Sequence, residues 1–350
     1  MADSGGHWAT LAEAQKLTQS TKIPGVFEED IKRNNPLERL NVAQAGGTGL
    51  KIEWLRENGL TEDAVAEANI GQALAWAEDV TYTEVETTLR YSYLQRKLDK
   101  YVAGIYGTYT NYQAQVLLEM EKGLKRKIGD RIIYGDTTFG GAATQFDGLH
   151  ALAAERGAAP GGQLNINEGG ALQLSNIRLQ VDAMRFGVDE IWLPPVIALR
   201  FDQAYEEAGF ASLAYNAAGA MTMLTRTKDE IGIPTTYFMG IPLIRTDYLV
   251  SEEDDTGNGD AVNARAKYST TSRFSLFCIK HGNVMAREPG LTFGFGGTEG
   301  TGDFYDLWTW DRLESYNAGG MRMDTYNTLM LGSTKCLGRI FDITDAALLA

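Results

Sequence analysis

Apolar residues recur every four positions from Tyr112 through Val116, Met120, Leu124 and Ile128 to Ile132, with mostly polar and charged residues between them. That spacing lays one stripe along a helix face. The run from Thr110 to Asp130 predicts a helix ~30 Å long at 1.5 Å per residue, opened by a capping-box pair, Thr110 and Gln113. Elsewhere the period is two. Leu50, Ile52 and Trp54 alternate with polar residues across Thr48 to Arg56, and a second strand is predicted from Val80 to Tyr93. The connection between them holds Asn58-Gly59 and an Ala-rich stretch and is far longer than an ordinary hairpin turn, which marks a functional or loose excursion.

Beyond residue 170 helices and strands alternate. Ser175 stands where it can cap a helix carrying Ile177, Val181 and Met184, with Gly187 at its end. The strand EIWL follows, and Pro194-Pro195 then opens a second helix with Val196, Leu199 and Tyr205 on one face and Gly209 as its stop. GIPLIRTDYLV, RFSLFCIK and NVMARE read as strands, the last two joined at His281-Gly282-Asn283. Glycines 290, 294, 296, 297, 300 and 302 read as a loop, and GGMRMDTYNTLMLGSTKCLGRIFDI alternates closely enough to be a long strand. At the other end, residues 1 to 35 pair a short helical pattern, Trp8 to Leu17, with TKIPGVFEED. This segment is too polar to form a core alone and reads as an arm lying on something else.

The long helix stops at YGD and is followed by a Gly/Ala/Thr loop and FDGL. A helix ending in IIYGD, then a loop and FDGL, resembles the major capsid proteins of tailed double-stranded DNA bacteriophages, the Hong Kong 97-type fold shared with encapsulin shells. IKRNNPLERLNVAQAGGTGLKIEWLREN resembles that family's arm and the first strand of its extended loop; DVTYTEVETTLRYSYLQRKLDKYVAG resembles the return strand into the helix. SNIRLQVDAMRFGVDEIWLPPVIALRFDQAYEEAG resembles the helix, strand and helix of its axial domain. The likeness lies in the order of these motifs rather than in any one of them. It implies an α+β chain with an N-terminal arm (1–35), a peripheral domain built on the spine helix (36–47, 96–145 and 303–350), an extended β-hairpin loop (48–95) and an axial domain (146–302).

The same resemblance implies a structural protein, not an enzyme, that self-assembles as hexamers and pentamers into the icosahedral head enclosing a phage genome. It would be built in the host bacterial cytoplasm and end in the virion. Its expected partners are its own copies, a portal, a decoration protein and a separate scaffolding protein, since the arm-like segment begins about two dozen residues after Met1 and leaves no room for an internal scaffold. An encapsulin-like nanocompartment shell is the nearest alternative, and a cytoplasmic α/β enzyme the alternative of another class. Subunit contacts are expected from Glu28, Glu29 and Asp30 on the arm, and from Trp54, Arg56, Asn58 and Trp76 on the loop. Further contacts are expected from Lys122, Lys125 and Arg126 on the helix and from Asp254 and Asp255 in an acidic tip.

Composition narrows the chemistry. With 44% hydrophobic and 10% aromatic residues the chain can fill a core, and a net charge of −14 argues against a general nucleic-acid surface. The longest apolar run, Ile191 to Leu199, is too short for a bilayer and is broken by prolines. Cys278 and Cys336 alone make no disulfide framework, which suits a reducing compartment. His7, His150 and His281 lack metal-ligand spacing and read as surface or capping histidines; Cys278 reads as a small buried hydrophobe. No GxSxG elbow occurs, and GLTFGFGGTEGTG lacks the Lys-Ser/Thr of a phosphate loop, so no catalytic, cofactor or metal site is assigned. Glu252 to Asp255 fail the EF-hand pattern and read as an exposed loop tip. Lys122, Lys125, Arg126, Lys127 and Arg131 suit the negative end of the helix dipole or acidic groups of an adjacent subunit. Lys51 reads as a solvated strand residue with no covalent partner.

Overall fold

In a computed structural model that describes residues 31–45, 51–57, 65, 67–73, 82–99, 112–137, 144–154, 165–213, 224–228, 234–253, 267–268, 272–296, 303–314 and 318–349, the apolar stripe forms one 23-residue helix. In chain order the first elements are β1 (Asn41–Gln44), β2 (Lys51–Glu57), β3 (Tyr82–Thr88), β4 (Arg90–Asp99), this helix α1 (Tyr112–Tyr134), α2 (Leu149–Ala154) and β5 (Asn165–Asn167). Then come α3 (Leu174–Ala183), β6 (Glu190–Leu193), α4 (Pro195–Leu213), β7 (Leu224–Lys228), β8 (Pro234–Phe238) and β9 (Ile241–Arg245). The last are β10 (Phe274–Ile279), β11 (Leu291–Gly296), β12 (Asp306–Trp310), β13 (Ala318–Leu331) and β14 (Leu337–Ile343). Val116, Met120, Leu124, Ile128 and Ile132 are all buried, each worth roughly 1.5–3 kcal/mol relative to exposure. The Thr110 cap lies outside the described residues.

The helix packs on two sheets. In the five-stranded sheet β13 is the hub: Asp324 pairs with both Asp306 and Tyr93, and Tyr326 with both Gly296 and Tyr91. So β12 and β11 share one edge of β13, β4 takes the other, and β1 continues beyond β11. The seven-stranded sheet runs β5-β14-β10-β6-β9-β8-β7. Its strand β10 is buried throughout: Phe274, Leu276 and Cys278 join a core with Ile177 of α3 and Phe201 of α4, whereas Phe277 and Ile279 join the α1 core on the opposite face. Burial on both faces explains why Phe274–Ile279 is apolar at every position but Ser275. As expected, Cys278 is a core residue, and its thiol is pushed up to about 12 by burial.

Several local expectations change. The strand predicted over Val80 to Tyr93 is two strands, β3 and β4, broken at Leu89 where the chain passes from a two-stranded ribbon to the sheet. Ser175 lies inside the first turn of α3, whose N-cap is Gln173. Among the described side chains of α4 the buried residues are Ile197, Ala198 and Phe201, with Tyr205 packed beside them, while Val196 and Leu199 are exposed and the helix continues through Gly209. The stripe was misphased because helix positions one residue apart point 100° apart. NVMARE forms a 3-10 turn, Val284–Ala286, because the Asn283 side chain accepts the Met285 and Ala286 amides instead of leaving them for a ladder. The glycine-rich stretch expected as loop contains β11, with Leu291 and Phe293 fully buried; a Cβ at Gly294 would lie 2.8 Å from Met330 Cε, so neighbouring side chains already fill that position. Finally, the long closing segment divides into β13 and β14, which join different sheets through a turn at Thr334–Cys336.

Two close approaches fasten the helix. A Cβ at Gly129 would stand 2.3 Å from Asn35 Oδ1; without it the Asn35 amide donates to the Lys125 carbonyl (3.1 Å) and the Asn35 oxygen accepts the Leu37 amide. Glycine in a helix interior costs about 1 kcal/mol in propensity, here offset by the docking of the chain at Asn35. The second approach is the YGD and FDGL junction. Gly148 N–H donates to Gly135 O at 2.7 Å, and a side chain at either glycine would meet backbone within 2.5 Å. Asp147 then accepts both the amide and hydroxyl of Thr137. Phe146, beside it, is buried edge-on to Phe293.

Candidate functional site

Among the described residues the densest chemistry is a buried polar cluster between the helices α1 and α2 and the seven-stranded sheet. Glu252 is 1% exposed and His150 and Arg339 are fully buried, a correction to the reading of His150 as a surface or capping residue and of Glu252 as part of an exposed tip. Glu252 Oε2 accepts from Ser275 Oγ (2.6 Å) and Arg339 NH2 (3.0 Å); its Oε1 accepts from Tyr134 OH (3.0 Å) and faces His150 Nε2 (2.8 Å). His150 Nδ1 lies 2.8 Å from the Ile133 carbonyl. The five side chains come from α1, α2, the segment before residue 253, β10 and β14, so the cluster ties helix to sheet. Burial pushes the Glu252 carboxyl up, but His150, Arg339 and Ser275 outweigh it and hold the group well below the ordinary carboxylate range. For His150 burial prevails over Glu252 and the pKa falls, favouring the neutral ring. The cluster is enclosed, with Glu252, His150 and Arg339 at most 1% exposed. Nothing in the sequence signals it, since its members span residues 134 to 339.

The ribbon of β2 and β3 has the opposite character. Its registered pairs place Glu53 across from Glu86, Leu55 across from Glu84 and Glu57 across from Tyr82 on one face. All six are exposed, Leu55 at 68% and Tyr82 at 64%, and Lys51 pairs diagonally with Glu86 at 2.6 Å. The Glu53–Glu86 cross-strand pair is unfavourable on its own. The other face lies on the chain itself: Thr87 Oγ1 is 2.7 Å from Thr328 Oγ1, Arg56 Nε donates to the Gly332 carbonyl at 3.0 Å, and Arg56 stands over the Trp54 ring. Trp54 and Arg56, both contact candidates, are therefore half-buried against their own β13 and the turn after it.

On the helix, Lys125 pairs with Glu121 at 2.9 Å, Lys122 is exposed and Arg126 half-buried. Lys127 and Arg131 face a groove of about 620 Å³ between α1 and β4, which also carries Arg90 and, among the described residues, no carboxylate. Arg131 NH1 donates to Ser92 Oγ at 3.0 Å while its Nε is buried without a hydrogen-bond partner. Burial lowers the Arg131 pKa against the opposing pull of Asp130. Sequence reasoning grouped five cations; the fold singles out two of them. Glu28, Glu29, Asp30, Asn58, Trp76, Asp254 and Asp255 lie outside the described residues.

No family model matches the chain, and no curated protein does. Solved structures do. The chain is similar to the encapsulin of the holo-SrpI complex from Synechococcus elongatus PCC 7942, at 11% identity over 97% of both chains with a TM-score of 0.66. It is similar to the capsid protein of a native GTA particle, at 11% identity over 97% of this chain and 100% of that one, TM-score 0.59. A third likeness is to the capsid of Myoviridae phage XM1, at 9% identity over 94% and 98% of the two chains, TM-score 0.58. The fold is therefore the Hong Kong 97-type α+β capsid fold, as the order of motifs implied.

Proposed function

We propose that this chain is the repeating subunit of a closed protein shell: the major capsid protein of a tailed double-stranded DNA phage, assembling as hexamers and pentamers into the head of the virion. The observation that carries the reading is the end-to-end agreement with shell proteins, which covers 97% of this chain and equal or greater shares of two shell subunits. A role in structure rather than catalysis is supported by a polar cluster whose Glu252 carboxylate is bonded on both oxygens inside the chain and by a ribbon face whose charges are exposed. In this reading the five-stranded sheet with α1 forms the peripheral domain, the seven-stranded sheet with α3 and α4 the axial domain, and the β2–β3 ribbon the base of the extended loop. Overlap of arm and loop with neighbours would bury far more surface per subunit than a standard binary interface.

Negative-stain microscopy with sedimentation of the purified protein tests this. Closed particles are the expected outcome; a population of monomers or dimers alone, across salt and concentration, would sink it. The encapsulin likeness favours one second reading, a nanocompartment shell. Contents separate the two: nuclease-protected DNA in native particles identifies a capsid, and a co-purifying folded protein cargo identifies a compartment. A scaffolding protein, a portal and a decoration protein are proposed partners of the capsid, and particles of mixed size from the lone chain are the expected sign of a missing scaffold.

A further inference from the structure

On the face of the five-stranded sheet that meets α1, one polar island interrupts the apolar core. Strand β13 sets Met323, Leu329 and Leu331 into that core, and alternation puts Thr325 and Asn327 on the same face. Across the strand pair, Ser92 stands opposite Thr325 and Arg90 opposite Asn327. Residues directly opposite share a face with Cβ atoms about 4.5–5.5 Å apart, so these four side chains converge. Helix α1 reaches the same place with Arg131, whose NH1 donates to Ser92 Oγ at 3.0 Å. Several atoms of the island lack a hydrogen-bond partner. Asn327 is 0% exposed with neither Oδ1 nor Nδ2 bonded, Thr325 is 3% exposed with Oγ1 unbonded, and Arg131 Nε is buried and unbonded. Buried polar atoms are rarely left so in a folded chain, and a bound group is one of the few explanations.

Arg90, Ser92 and Arg131 also line the groove of about 620 Å³ between β4 and α1, within the ~300–1,000 Å³ range of small-molecule sites. We propose that this groove binds the phosphate group of a small molecule, held between Arg131 and Lys127 of α1 and Arg90 of β4, with the Ser92 and Thr325 hydroxyls and the Asn327 amide donating from the sheet. The proposal goes beyond the shell reading and does not depend on it. Lys127 is 61% exposed and 3.9 Å from Asp130, whose other oxygen is taken by Lys267 at 2.5 Å. Ser92 Oγ accepts from Arg131 and so keeps its own proton to donate. A planar carboxylate is satisfied by one guanidinium fork, and Arg131 already uses NH1 on Ser92. Donors on helix, strand and sheet floor instead match a phosphate, which carries about −1.5 to −2 charges and three acceptor oxygens. Leu89, Leu94 and Leu124 border the remaining space, where the rest of a small phosphoester would lie. A small ligand is favoured over nucleic acid because it needs only these local donors, whereas a polyanion would also meet the field of a chain of net charge −14.

The test titrates the full-length protein at fixed ionic strength with inorganic phosphate and, separately, with adenosine monophosphate, following heat by calorimetry and the thermal midpoint. Saturable binding of one ligand per chain with a rising midpoint is expected. Arg131→Met should weaken binding on the order of tenfold to a hundredfold. Lys127→Gln, at an exposed side chain, should weaken it on the order of tenfold, and it carries the test if Arg131→Met does not fold. Asn327→Leu separates a ligand floor from ordinary packing: without the two unbonded atoms the phosphate-free protein should melt higher than the parent chain and gain less from phosphate. Lys125→Gln, on the same helix but outside the groove, should leave binding unchanged; an equal weakening there would reduce the effect to general charge and overturn the proposal. Tighter binding of adenosine monophosphate than of phosphate would assign a phosphomonoester and equal binding free phosphate, either in support. No saturable binding of either, or acetate binding as tightly as phosphate, would overturn it. So would a DNA duplex that binds through these residues while neither small ligand does.

Discussion

Glu252 and Glu86 are the same side chain in opposite circumstances. Glu252 is enclosed by Ser275, Arg339, Tyr134 and His150, each within 3.0 Å of a carboxylate oxygen. Glu86 stands exposed on the ribbon, helped by Lys51 and opposed by Glu53 directly across the strand pair. The first satisfies every requirement of a buried charge inside one chain. The second satisfies few, and with Leu55 and Tyr82 exposed beside it the ribbon presents a surface that gains by being covered. Saturated polar groups therefore mark what holds the subunit, and unsaturated ones mark where subunits are proposed to meet.

The largest expected effect breaks the enclosed side of this comparison. Arg339→Met keeps volume but leaves Glu252 a buried, uncompensated charge, and should cost about 3–5 kcal/mol in denaturant unfolding of isolated subunits. A loss below 1 kcal/mol would mean that the cluster does not hold the helices to the seven-stranded sheet; that threshold is roughly the net worth of one ordinary hydrogen bond. Next come Met120→Ala and Leu124→Ala, in the middle of the stripe, at about 2–5 kcal/mol each. Lys125→Ala, a partly exposed side chain paired with Glu121 one turn back, should stay within about 0.5 kcal/mol. Equal losses at Leu124 and Lys125 would break the assignment of helix faces.

Acidification sharpens the comparison further. The pKa values of His150 and Glu252 are both lowered in the folded chain, so the unfolded chain binds their protons first. Stability is then full above the ordinary imidazole value of about 6.5 and falls as pH drops, by at most about 1.4 kcal/mol per pH unit for each group, with Glu252 entering below about pH 4.3. Urea midpoints measured from pH 7.5 to 5 should decline, and His150→Gln should flatten that limb. A midpoint that rises on acidification would show instead that the Glu252 and Ile133 oxygens keep the ring protonated.

The smallest effect belongs to the ribbon. Glu53→Gln removes the like-charge pair, so subunit stability should stay level or rise, by no more than about 0.5 kcal/mol. If the face meets a cationic surface on a neighbour, the same substitution slows assembly followed by light scattering. Unchanged assembly would remove this face from the proposed contacts.

Periodicity made the spine helix legible, because a spacing of four maps onto one face whatever surrounds it, and all five described stripe residues from Val116 to Ile132 are buried. The order of motifs around YGD and FDGL carried the fold class, and the structure shows why glycine stands at both positions: neither Gly135 nor Gly148 has space for a side chain. Alternation likewise located β2, and apolar segments bounded by turn residues located β6, β9 and β10, since in-and-out geometry or burial on both faces leaves a direct trace in composition. Tertiary structure decided the rest. Whether glycine-rich Leu291–Gly296 is loop or strand depended on Met330 and Thr328 filling the space above Gly294; whether the closing segment is one strand or two depended on two sheets competing for it. The fate of each charge was equally beyond the sequence. Glu252 became internal and Lys127 and Arg131 came to border a groove beside β4 because residues far apart in the chain converged on them, and electrostatic cost depends on distance and burial, which one-dimensional order does not contain.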